Sequence, residues 1–128
     1  MTDRELIGKA AEAMERSYSP YSRFPVGAAI ECDDGAVFTG CNIENSALGV
    51  TMCAEACAVA CAVSAGNRKF VRIAIIARSG DYCYPCGSCR QMLHEFSPDV
   101  EILCARGDGR YVSYRLPAFL PMPFASFN

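Results

Sequence analysis

No stretch of this 128-residue chain concentrates Lys and Arg, and its formal net charge is −2. A protein that neutralises many phosphates carries a basic face, so nucleic acid is not expected as substrate or partner. Long apolar runs are missing too. The first residues carry Asp3 and Glu5 and lead into no secretory core, and the most apolar stretch, residues 53–65, is too short to span a bilayer. A cytoplasmic protein with no membrane partner is expected. Repeats, low-complexity segments and interdomain linkers are lacking, and the length is too small for two ordinary cores, so residues 1–128 are read as one domain.

What is present is apolar surface and sulfur. Hydrophobic residues make up 52% of the chain and charged residues 20%, enough burial to offset the entropy of folding and to exclude disorder. Nine cysteines are many for this length. The number is odd, and a reducing compartment is expected. Metal ligation or catalysis therefore accounts for some of them and plain burial for the others.

Thr2-Asp3-Arg4-Glu5 reads as a capping box, followed by Leu6, Ile7, Ala10, Ala11, Met14 and Tyr18 at helical spacing until Ser19-Pro20. Residues 26–32 and 37–41 are β-prone runs around Asp33-Asp34-Gly35, which predicts a hairpin. The Ala-rich residues 53–65 predict a helix ending at Gly66-Asn67. Residues 71–77, 86–96 and 100–105 read as strand, helix and strand, a βαβ unit, and 111–114 as a last strand. This order predicts an α/β protein, a three-layer α/β/α sandwich around a mixed five-stranded sheet.

Cys53-Ala54-Glu55 opens one helix, and Pro85-Cys86-Gly87-Ser88-Cys89 opens another, with Cys86 33 positions after Cys53. Unpaired N–H groups and the positive end of the helix dipole stabilise thiolates at such places. Cys86 and Cys89 lie one turn apart and can grip one ion, and Pro85 suits the helix entry. If the two helices lie side by side on a sheet, Cys53 supplies a third sulfur to Zn²⁺ and leaves the fourth tetrahedral place for water. Glu55, two residues beyond Cys53, then projects beside the metal as a proton carrier.

This combination resembles the signature of zinc-dependent nucleobase deaminases, in which the glutamate is not a ligand. Tyr18-Ser19-Pro20-Tyr21-Ser22-Arg23-Phe24-Pro25-Val26-Gly27-Ala28-Ala29 and Gly40-Cys41-Asn42-Ile43-Glu44-Asn45 further resemble words of the small homotetrameric cytidine deaminases. The resemblance covers nearly the whole chain. It implies hydrolysis of cytidine and deoxycytidine to uridine and deoxyuridine with release of ammonia, in pyrimidine salvage. It also implies Phe24 against the pyrimidine ring, Asn42 and Glu44 on the ribose 3′-hydroxyl, and the Ala54 backbone on the base. Phe124, after Leu120-Pro121, takes the place of an aromatic residue that enters a neighbouring subunit's site, so a homotetramer with shared sites is implied. Three positions depart from the family pattern. Ala56 stands where an arginine usually follows Cys-Ala-Glu, with Arg90 as the candidate replacement for its charge; Leu48 and Tyr84 replace an aromatic and a small residue.

Other readings stand beside these. Cys57 and Cys61 continue Cys53 at helical spacing and read as core, as do Cys32, Cys41 and Cys104. Cys83 forms an overlapping C-x-x-C with Cys86, which suits a redox dithiol or a closed four-thiolate zinc module without catalysis. Glu55 suits a first-turn acid, Phe24 a core position, Asn42 and Glu44 turns, and Phe119, Phe124 and Phe127 intramolecular packing. His94, the one histidine, reads as a helix-surface residue, because thiolates already fill the ligand places. Deamination of an aminoacyl-nucleoside antibiotic such as blasticidin S is the alternative within the enzyme class.

Overall fold

The computed structural model describes residues 1–127, so Asn128 of the expected 1–128 domain lies outside the described residues. The elements run α1 (Asp3–Met14), β1 (Val26–Cys32), β2 (Val37–Cys41), α2 (Ala54–Ser64), β3 (Phe70–Ala77), α3 (Gly87–Phe96), β4 (Glu101–Ala105) and β5 (Tyr111–Arg115). Short 3₁₀ turns occupy Leu48–Val50 and Leu116–Ala118.

Local chemistry explains the boundaries. The Thr2 side chain accepts from the Glu5 amide and Glu5 reaches back to the Thr2 amide, so the capping box forms as the sequence predicts. Tyr18 does not continue that helix. Its backbone instead bridges to Ile43, with the Tyr18 amide donating to the Asn42 carbonyl (3.0 Å), so a tertiary contact overrides the helical spacing. The β1–β2 turn closes at Gly35, whose φ of 88° suits glycine, and Gly66 (φ 95°) ends α2 in the same way.

The strands form one sheet in the order β2-β1-β3-β4-β5, in which only β3 and β4 are parallel, joined through α3. Alternation along the strands sorts side chains between two cores. Ala29, Ala74, Ile76 and Leu103 face α1 through Leu6, Ile7, Ala10 and Met14. Ala28, Ile30, Ile73, Ile75 and Ile102 face the other way, onto Ala54, Ala58 and Ala62 of α2 and Leu93 of α3. The result is the predicted α/β/α sandwich, with α2 and α3 sharing one layer.

Arg72 anchors the first helix to the sheet. Its guanidinium pairs with Asp3 (2.5 Å) and donates from Nε to Glu31 (2.8 Å), and the Tyr111 hydroxyl donates to the second Asp3 oxygen (3.1 Å). These groups are largely withdrawn from water, so removing the cation strands two carboxylates. Arg72→Met is expected to lower stability by about 2 kcal/mol, read as the midpoint of urea unfolding.

Candidate metal centre and active site

Three loop segments meet at the end of the sheet where β3 finishes and β1 begins. Ile43 and Met52 exchange backbone hydrogen bonds (3.0 and 2.9 Å), and the Glu44 amide donates to the Tyr18 carbonyl (2.8 Å). Distant stretches of sequence are stitched together in this way, beside the first turns of α2 and α3.

Cys53 is the N-cap of α2 and Cys86 the N-cap of α3, with Cys89 one turn further on. Pro85 therefore precedes the cap and is fully buried, one position earlier than a first-turn proline. The sulfurs of Cys53, Cys86 and Cys89 all lie within 4.8 Å of one another, and the first two are 3.5 Å apart. The carboxyl of Glu55 comes from the first turn of α2 and is only 5% exposed.

So many acidic groups oppose one another's ionisation. Burial, then Cys86, pushes the Cys53 thiol up to about 11, and burial with the nearby Glu55 pushes Cys89 up. Burial also acts against the Cys86 thiolate, but the Ser88 hydroxyl and the Cys89 amide bring that thiol below its usual value. Burial raises Glu55 itself, against the pull of backbone amides and the Cys89 thiol. Among the described residues, no Lys or Arg lines the pocket that contains these groups. Three convergent sulfurs with no lining cation suit a soft divalent ion, and the donor set fits zinc.

The pocket encloses about 210 Å³ beside the cluster. Phe24, Asn42, Cys53, Ala54, Glu55 and Cys86 line it, so most of the sequence-predicted site residues come together. The Asn42 side-chain oxygen accepts from the Val26 amide (2.9 Å) and from Ser17, and its nitrogen donates to the Phe24 carbonyl (2.9 Å). Asn42 thus ties Phe24 and Val26 to the wall, with one amide proton still to offer.

Two predicted residues are placed elsewhere. Glu44 is half-buried, outside the pocket lining, and takes hydrogen bonds from the Tyr21 amide (2.9 Å), the Ser22 amide (3.1 Å) and the Ser22 hydroxyl. These bonds, the Ser22 hydroxyl first, hold its carboxyl below the usual value. Phe124 is 62% exposed and away from the pocket of its own chain; its carbonyl accepts from Gln91 (2.8 Å) and its ring meets Phe127 edge-on.

Further readings need correction. Arg90 does not turn to the sulfurs: its Nε donates to the Pro85 carbonyl (2.8 Å), its Nη1 to the Phe119 carbonyl (3.1 Å), and its guanidinium stacks on the Phe119 ring. Cys83 lines the pocket but is outside the three-sulfur group, so the closed four-thiolate reading has no support in this geometry. Cys61 is exposed and Cys57 only half-buried, because α2 turns Ala54, Ala58, Val59 and Ala62 inward instead. Cys32 and Cys104 are buried as expected, Cys41 only partly, and His94 is half-buried. Sequence reasoning missed Thr51 and Met52 on the pocket wall, whose one signal was adjacency to Cys53, and Ser17, which had none.

The fold and the sulfur cluster define a zinc-binding deaminase domain. The chain belongs to the cytidine and deoxycytidylate deaminase zinc-binding family, whose model matches residues 1–105. It is 48% identical over 111 residues to a cytidine deaminase of Sporosarcina psychrophila, covering 84% of this chain and 82% of that one. Over 126 residues it is 41% identical to the cytidine deaminase of Halalkalibacterium halodurans, covering 97% and 96%. The crystal structure of a cytidine deaminase from Burkholderia pseudomallei superposes with a TM-score of 0.93 at 39% identity, covering 97% of this chain and all of that one. A blasticidin-S deaminase of Bacillus cereus is 31% identical, covering 95% and 91%.

Proposed function

We propose that this protein is a cytidine deaminase that converts cytidine and deoxycytidine to the corresponding uridines with release of ammonia, in pyrimidine salvage. The observation that carries the reading is the buried Glu55 carboxyl in the same pocket as Cys53 and Cys86, which Phe24 and Asn42 also line. Cys53, Cys86 and Cys89 hold the zinc. Bound there, zinc supplies Lewis acidity, which makes water a nucleophile at neutral pH and stabilises developing negative charge.

The chain's own residues do the rest. Glu55 accepts a proton from the attacking water and delivers one to N3 of the base as C4 becomes tetrahedral. It then carries a proton to the departing amino group, so one water is consumed and one ammonia leaves. Burial suits Glu55 to this exchange, because it raises the carboxyl above its ordinary value and so favours taking up a proton. Phe24 packs on the pyrimidine face, the Ala54 backbone holds its edge, and Asn42 offers its remaining amide proton to the ribose. Glu44 acts on the ribose 3′-hydroxyl from the rim, on the loop it staples.

Phe124 completes the site of a neighbouring subunit in a cytoplasmic homotetramer, a role suited to an exposed ring outside its own pocket. No helix among the described residues is long and apolar enough to cross a membrane. The decisive assay follows the ultraviolet change as purified, zinc-loaded protein meets cytidine. Turnover of cytidine and deoxycytidine is expected, with blasticidin S slower by at least about tenfold. Turnover of blasticidin S alone would overturn the substrate assignment.

A further inference from the structure

We infer that Gly40 is a positioning residue for the reaction: the missing side chain sets the height at which the metal-binding and proton-carrying end of α2 rests on the sheet. Gly40 pairs with Ala28 in the β1–β2 ladder, on the face covered by α2. A Cβ there would lie 2.5 Å from the Ala58 amide nitrogen, 2.6 Å from the Ala54 carbonyl oxygen and 2.8 Å from the Cys57 Cβ. Two of these are backbone atoms of α2, the Ala54 carbonyl in its first turn and the Ala58 amide just beyond it, so no side-chain rotation relieves the overlap. Ordinary contact begins at 3.4 Å, so this end of the helix would have to rise by roughly 0.9 Å.

That turn carries Cys53 at its cap and Glu55 within it, whereas Cys86 and Cys89 belong to α3. Leu93 of α3 lies in the same buried cluster as Ala58 and Ala62 of α2, but on a separate helix. Lifting α2 therefore moves one sulfur and the carboxyl together, relative to two sulfurs carried by another helix. The 3.5 Å approach of Cys53 to Cys86 is thus set from beneath, by an atom the chain omits.

An internal contrast comes from Gly27. Its Cβ would lie 2.0 Å from the Ala10 carbonyl and 2.6 Å from the Met14 amide, on the opposite face beneath α1, which bears none of these groups. Both glycines let a helix touch the sheet, but only one of those helices holds site residues.

The inference rests on the proposed cytidine deamination only for its kinetic arm. Gly40→Ala and Gly27→Ala are prepared as full-length zinc-loaded proteins, and zinc release to a chromogenic chelator is timed beside cytidine kinetics. Both variants are expected to lose thermal stability. Gly40→Ala alone is expected to release zinc at least about tenfold faster and to lose about 100-fold in kcat, with KM within about threefold of wild type. Should Gly40→Ala prove insoluble, Ala28→Val raises the same floor under α2 from the paired strand and carries the same expectation. Zinc release and kcat at wild-type values in the soluble variant, or equal losses in Gly27→Ala, would overturn the inference. Wild-type protein inactive on cytidine sinks the proposed reaction instead, and the chelator measurement still judges Gly40.

Discussion

Replacing Glu55 by Gln is expected to cut cytidine turnover about 10⁴-fold, with zinc content unchanged. The upper end of the range for acid–base catalysis applies because, in the proposed reaction, one carboxyl serves several transfers in turn: from water, to N3, and to the departing amine. The amide has the same shape and fills the same buried space, so the pocket keeps its walls. Stability should hold or rise. Burial raises the Glu55 carboxyl, so above its ordinary value the folded chain retains a proton that the unfolded chain has released; ionising it in the fold is a cost. Gln removes that cost at neutral pH. Ammonia release at saturating cytidine, read beside a thermal melt of the metal-free protein, separates a proton carrier from a structural acid. Turnover near wild type would remove Glu55 from the mechanism.

Cys86→Ser is expected to abolish stable zinc binding, from about one ion per chain to under about 0.1 after gel filtration, and activity with it. Cys86 is exposed, so little packing is lost. Serine is also the better helix N-cap, so α3 is not weakened. What disappears is the thiolate: a serine hydroxyl stays protonated where a thiol ionises. The gap in melting temperature between zinc-loaded and chelated protein should therefore close, since an ion stabilises only the state that binds it. Cys104→Ser is the contrast. It buries a hydroxyl in place of a fully buried thiol, and should cost about 2 kcal/mol of stability while retaining zinc. A Cys86→Ser protein with a full complement of zinc would show that the sulfurs do not act together.

Much of this arrangement was legible along the chain. The capping box, the hairpin around Gly35 and the βαβ unit are local events, decided by neighbours a few positions apart, and the element order follows from them. The cysteine spacing placed the sulfurs at two helix starts for the same reason. Errors arose where distant contacts outvoted local pattern. Tyr18 kept helical spacing but bonded to the Asn42 segment, and Cys61 continued a stripe that α2 turned outward. Arg90 had the right charge in the right region, yet its fork was taken by the Pro85 and Phe119 carbonyls.

The sequence by itself determined which elements form and that Cys53, Glu55, Cys86 and Cys89 sit at two helix N-termini, because spacing and capping are properties of short segments. Only the tertiary structure decided that three sulfurs stand within 4.8 Å, that Glu55 is buried beside them, and that Asn42 ties the loops of the pocket wall. Those facts depend on how close two helices lie to one sheet. That distance is set by packing between positions far apart in the chain, such as Gly40 beneath Ala54, which no local pattern encodes.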